Sequence, residues 1–260
     1  MKKSLTTLLL AGIATAAQAD MVTEPVAYDI DGEAYEGMLV YDGGVSDSRP
    51  GLLMVPNWMG VTEAAAEKAY RAAGSDYVVF IADMYGKDIR PQDSDEAGKA
   101  AGLVRGDRAL QRQRVNAALD VFKAQTDRVA LDTSKMAAIG FCFGGGSVLE
   151  LARSGTEIAG VVSFHGNLDT PDAEDAKAIK TSVLVLHGAD DPYVPVEQVQ
   201  AFETEMRDAG VDWQLTSYGG AVHSFTDPAA AMPGQAEYHP LVAERAFAAM
   251  HLFLRERLAE

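Results

Sequence analysis

The single cysteine of the chain, Cys142, stands in Gly140-Phe141-Cys142-Phe143-Gly144-Gly145-Gly146, between the apolar run Met136–Phe141 and a helix-like Ser147–Arg153. A nucleophile held in a sharp strand-to-helix turn occupies strained backbone, and glycines two before and two after it prevent side chains from colliding across the turn. A thiol placed this way attacks carbonyl carbon, provided that a base takes its proton and a third group orients the base. Two later segments offer those partners. His187-Gly188-Ala189-Asp190-Asp191-Pro192-Tyr193-Val194-Pro195 brings two carboxylates to the end of the apolar run Val183–Leu186, and Gly219-Gly220-Ala221-Val222-His223-Ser224-Phe225 follows Trp213–Tyr218. The glycine-rich turn is a poor phosphate cradle, because no Lys-Ser or Lys-Thr follows it, as such a loop requires.

These residues need a scaffold that presents successive strand ends to one place. Ala27 to Tyr41 alternates apolar and polar residues around Asp31-Gly32, which predicts a tight antiparallel hairpin. From Gly51 the pattern changes to short, nearly continuous apolar runs: Leu52–Val55, Tyr77–Ala82, Met136–Phe141, Gly160–Phe164 and Val183–Leu186, then a more alternating Trp213–Tyr218. Such runs, separated by longer stretches, predict an α/β fold in which a mostly parallel sheet of about eight strands carries helices on both faces. Thr62 caps a first helix that stops at Gly74; Val199, Phe202 and Met206 share a face of another that stops near Gly210; a last helix carries Val242, Phe247, Met250 and Leu254. In such sheets, sites gather beyond the carboxyl ends of the strands, where Cys142, the two aspartates and His223 all fall.

Composition narrows the setting. Lys2 and Lys3 precede an apolar stretch from Leu5 to Ala17 that ends in Ala17-Gln18-Ala19, the pattern of a secretory leader, so residues 1–19 are expected to be a signal peptide and 20–260 one domain, exported to a bacterial periplasm. Losing the two lysines takes the formal charge from −16 to −18, which argues against nucleic acid or an anionic membrane as a partner. A lone thiol in an oxidising compartment is either reactive or paired between molecules. Metal-ligand spacing is absent, no cofactor is implied, and a monomer is expected.

The order of nucleophile, acid and histidine is that of α/β-hydrolases. With the cysteine elbow, the Gly-x-x-Asp-x-x-Val-Pro segment at Gly188–Pro195 and the His-x-Phe loop at His223–Phe225, the chain resembles the dienelactone hydrolase family from about Gly37 to its end. The resemblance implies an α/β-hydrolase fold, Asp191 as the acid in preference to Asp190, and hydrolysis of a small-molecule ester or lactone through a thioester on Cys142, with His223 as base. It also implies an oxyanion hole made of the backbone N–H groups of Phe143 and Trp58. Asn57, Met59, Tyr85, Lys87, His165 and Phe225 are candidates for the substrate pocket, His165 being as readable as a structural histidine. The family pattern is broken in two places: Asn57 stands where a glutamate is expected and Asp227 where an arginine is, while Lys87 takes the place of a second arginine. Together with the negative charge, these departures point to a neutral substrate. The same three residues could instead cleave peptide or thioester bonds, and a non-catalytic thiol sensor is the reading from another class.

Overall fold

The computed structural model describes residues 20–259; the leader expected at residues 1–19 lies outside them. Strands β1 (Met21–Ile30) and β2 (Glu33–Asp42) form the hairpin, closed by Asp31 and Gly32, both at positive φ. Strand β3 (Arg49–Val55) is followed by helix α1 (Glu63–Ala73) and β4 (Val78–Ile81). Then come α2 (Ser94–Gly106), α3 (Arg108–Lys123), β5 (Leu131–Phe141) and α4 (Phe143–Arg153). The chain continues through β6 (Gly160–Phe164), β7 (Ser182–Gly188), α5 (Val196–Ala209) and β8 (Trp213–Tyr218). A two-residue ribbon, β9 (Ala231–Met232) with β10 (Ala236–Glu237), precedes α6 (Pro240–Leu258).

Eight strands form one sheet in the order β1-β2-β4-β3-β5-β6-β7-β8. β2 pairs antiparallel with both β1 and β4, and every pairing from β4 to β8 is parallel. Because side chains alternate along a strand, β3 sends Leu53 and Val55 to one face and Leu52 and Met54 to the other. The first face is covered by Val104 of α2, Phe122 of α3, Leu149 of α4 and Phe202 of α5; the second by the alanines of α1 and by Phe247, Met250 and Leu254 of α6. This is the α/β-hydrolase arrangement, with helices on both faces as expected. Thr62 caps α1 through its side chain to the Ala65 N–H, and Gly210 ends α5 in the left-handed conformation.

The apolar pattern does not locate helices α2 and α3, for a physical reason: α2 buries only Ala97 and Val104, and α3 meets α4 through Arg108 and Arg112 as well as through its apolar stripe. The whole of α4 is buried, including Glu150 and Arg153. Arg153 donates to both Glu205 carboxylate oxygens at 2.8 Å and to Glu150 Oε1 at 3.0 Å, while Arg112 of α3 donates to Glu150 Oε2 at 2.8 Å. Removing one partner of such a cluster strands a buried charge, so Arg153→Met is expected to cost about 3–5 kcal/mol of folding free energy. Urea unfolding measures this; a loss below about 1 kcal/mol, the range of an exposed pair, would show that the cluster holds nothing in place.

Among the described residues, no helix is long and apolar enough to cross a membrane.

Candidate active site

The carboxyl ends of β3, β5, β6, β7 and β8 converge on one cluster. Among the described residues, four that are not glycine have positive φ: Asp31 in the hairpin turn, and Cys142, His165 and Ser224 in this cluster. Such conformations are costly and persist where the surroundings over-determine them, as at catalytic centres. Cys142 lies between β5 and α4 at φ 55°, ψ −118°, and its own N–H is tied to the Phe164 carbonyl at 3.0 Å. The elbow needs its glycines for space. A Cβ on Gly140 would sit 2.0 Å from the Gly144 carbonyl oxygen, and one on Gly144 would sit 2.0 Å from that of Val55. The absence of side chains therefore lets the amino end of α4 press against the end of β3.

Each of the two segments that meet there carries a backbone donor of interest. Phe143 is the first residue of α4, whose opening N–H groups have no partner within the helix. In the loop after β3, the Asn57 carbonyl accepts from Gly60 N–H at 2.9 Å and Asn57 Oδ1 accepts from Met59 N–H at 3.1 Å. The Trp58 N–H between them finds no acceptor among the described residues.

His223 is 7% exposed, and its Nδ1 lies 2.8 Å from Asp191 Oδ2. Asp191 is buried, with its other oxygen accepting the Tyr193 N–H at 2.8 Å. Asp190 is turned to solvent and accepts the Gly220 N–H at 3.0 Å. The backbone of His223 is gripped on both sides by the small ribbon: its N–H donates to Gln235 and its carbonyl accepts from Glu237, at 3.1 and 3.0 Å. Its ring is flanked edge-on by Tyr193 at 5.2 Å and His165 at 5.3 Å. Burial alone would pull the imidazole down, but hydrogen bonding to Asp191 and Cys142 and the charges of both more than offset this, raising His223 to about 10. Cys142 is half-buried, and the imidazole is raised by its hydrogen bonding and charge as well as by those of Asp191.

The remaining candidates divide. Tyr85 packs its ring 5.6 Å from Phe143 and donates its hydroxyl to the Trp58 carbonyl at 2.9 Å; burial, then the nearby Cys142 and Asp83, push its phenol far up. Met59 is half-buried beside the elbow loop and Trp58 is 37% exposed. His165 lies beneath His223 rather than facing solvent: its Nε2 pairs with Thr226 Oγ1 at 2.8 Å, and its Nδ1 has no partner among the described residues. Burial, followed by the proximity of His223 and Lys68, holds it well below the usual histidine range, so it is a neutral ring. Phe225 is fully buried in the core under α6, and Lys87 pairs with Glu36 at 2.9 Å on the surface. His187, at the end of β7, is also buried. Tyr193 and Lys68 belong to this cluster although sequence reading passed over both. The signal for Lys68 was present: it falls on the buried alanine stripe of α1, between Ala65 and Ala72.

A groove of about 520 Å³ adjoins the cluster through Tyr85 and is lined further by Ile89, Pro91, Lys99 and Leu103. A recess of about 380 Å³ beside α5 shares no residue with the cluster. Among the described residues, no three His, Cys, Asp or Glu side chains are grouped to hold a metal ion.

The model of the dienelactone hydrolase family matches residues 36–258. An uncharacterized Caenorhabditis elegans protein is 36% identical over 57% of this chain and 94% of its own length. A putative carboxymethylenebutenolidase of Salmonella typhimurium is 25% identical over 68% of this chain and 67% of its own. Among solved structures, a dienelactone hydrolase-like promiscuous phosphotriesterase from metagenomic libraries is 41% identical, covers 92% of this chain and 99% of its own, and superposes with a TM-score of 0.85.

Proposed function

The chain belongs to the dienelactone hydrolase family, and we propose that it hydrolyses an ester or lactone bond in a neutral small molecule through Cys142, His223 and Asp191. The observation that carries this reading is the thiol at a strained elbow beside an imidazole whose far nitrogen is bound to a buried carboxylate at 2.8 Å.

The chemistry proceeds in two displacements. His223 takes the thiol proton, and the Cys142 thiolate adds to the carbonyl carbon; a C–S bond forms as the π pair moves to oxygen. The N–H groups of Phe143 and Trp58 receive that oxyanion, and each such donor is worth on the order of a hundredfold in turnover. Collapse breaks the C–O bond, and the leaving oxygen takes the proton from the His223 imidazolium. Neutral His223 then draws a proton from water, which attacks the thioester and expels the thiolate, restoring the site. Asp191 holds the tautomer and stabilises the imidazolium throughout.

A neutral substrate is favoured by local charge. Where the family resemblance implies an arginine for a substrate carboxylate, Asp227 occupies the position, and Lys87 is engaged with Glu36. The groove beyond Tyr85 combines Ile89, Pro91 and Leu103 with Asp88, Arg90, Glu96, Lys99 and Arg114, which offers an acyl or alcohol part both apolar contact and polar partners. The comparison to run is a neutral lactone against its carboxylated counterpart. The neutral compound is expected to have a kcat/KM about tenfold higher or more, equal to about 1.4 kcal/mol; a preference for the carboxylated one would overturn the neutral reading. A second activity is favoured by the 41% identical phosphotriesterase: slow hydrolysis of neutral phosphotriesters by the same thiolate, which the same assay detects with an aryl phosphotriester.

A further inference from the structure

We propose that Asp227, charge-balanced by Lys68, is a positioning residue that fixes the Asn57 amide and thereby holds the Trp58 N–H in register with the Cys142 elbow. The inference rests on the oxyanion role assigned above to that N–H. Asn57 carries the loop after β3: its carbonyl holds Gly60 N–H and its Oδ1 holds Met59 N–H. A carboxamide presents an oxygen and an NH2 of nearly equal size, so the loop has this form only while Asn57 keeps its oxygen toward Met59. Rotated by half a turn, Asn57 would set Nδ2 against the Met59 N–H, donor against donor, and the loop would lose its clamp. Asp227 reinforces that orientation from the other end of the amide. Its Oδ2 accepts from Asn57 Nδ2 at 3.4 Å, an arrangement that the rotated amide cannot form.

The carboxylate is itself built into the site. Asp227 Oδ2 also accepts from Lys68 Nζ at 2.8 Å, and its Oδ1 accepts from Ala229 N–H at 3.0 Å. The Lys68 and Asp227 side chains are 11% and 18% exposed, unlike the open ion pairs that contribute little. Asp227 also closes a turn onto the Ser224 carbonyl, four residues after His223, and its neighbour Thr226 is pinned by His165. One carboxylate therefore ties the imidazole loop to the oxyanion loop and to α1, segments separated by 170 and 159 residues along the chain. Misplacing a catalytic donor by about 1 Å costs on the order of a hundredfold, so the tie acts on turnover more than on affinity.

The test compares Asp227→Ala, Asn57→Ala, their double variant and Asp227→Asn by three readouts. These are kcat and KM on an aryl ester, the rate of Cys142 alkylation by iodoacetamide, and hydrogen exchange in the peptide spanning residues 57–60. Alkylation displaces iodide without creating an oxyanion, so it reports the thiolate and not the hole. Either alanine variant is expected to lose about 30-fold in kcat with KM and alkylation near wild type, while exchange at residues 57–60 quickens. The double variant should be no worse than Asn57→Ala, since Asp227 acts on the loop through Asn57, and Asp227→Asn, which keeps an acceptor oxygen, should recover most of kcat. A kcat within threefold of wild type in Asp227→Ala, or alkylation falling in parallel with hydrolysis, would overturn the proposal. Should the wild-type chain hydrolyse no ester, the functional reading fails separately, and unchanged exchange at residues 57–60 in Asp227→Ala would overturn the positioning role by itself.

Discussion

Cys142→Ala is expected to lower kcat for ester hydrolysis by about 10⁵-fold or more, the scale seen when the nucleophile of a concerted triad is removed. No other thiol exists in the chain, and His223 without an adjacent nucleophile has only water to activate. The substitution leaves the fold alone: Cys142 is half-buried, and alanine at φ 55° bears the same backbone strain as cysteine. Melting temperature should therefore stay close to wild type, which separates loss of chemistry from loss of structure. Residual turnover above about 1% of wild type would remove Cys142 from the mechanism. Wild-type protein that is inert on esters and forms a disulfide-linked dimer would instead favour the thiol-sensor alternative.

Asp191→Asn should be nearly as damaging, with a fall in kcat of about 10⁴-fold, because an amide facing Nδ1 admits the wrong tautomer. Its signature is a change in titration as well as in rate. In the wild-type chain, His223 is raised to about 10, above its ordinary 6.5, by the partners that outweigh its burial. A group raised on folding stabilises the folded state fully below its unfolded value and loses that contribution as pH climbs through its folded value. The wild-type melting temperature should thus lose this contribution as pH rises from about 6.5 through about 10. In Asp191→Asn the upward pull of the carboxylate is gone, so the His223 titration, followed by its ring-proton NMR signals, should move to lower pH. A wild-type-like titration curve in the variant would mean that Asp191 does not set the state of the imidazole.

Much of this site could be read along the chain because its signals are local. The Asp31-Gly32 turn, the apolar runs that became β3 to β8, and the glycines around Cys142 each express short-range sterics or burial periodicity. The order of thiol, carboxylate and imidazole could be read in the same way, since each follows a strand whose end must lie on one edge of a parallel sheet. Helices α2 and α3 could not be read so directly, because α2 buries only Ala97 and Val104 and the anchoring of α3 to α4 rests partly on Arg108, Arg112 and Glu150, whose partners are distant in sequence.

What the chain by itself determined was therefore the sheet, the elbow and the candidate reactive groups. Tertiary structure alone decided that His165 lies buried beneath His223, that Phe225 belongs to the core, and that Lys68, Asp227 and Asn57 form one connection. The physical reason is that strand periodicity and turn sterics act between neighbouring residues. A hydrogen bond between groups 170 residues apart depends on the closure of the whole fold and leaves no pattern in the segments that supply them.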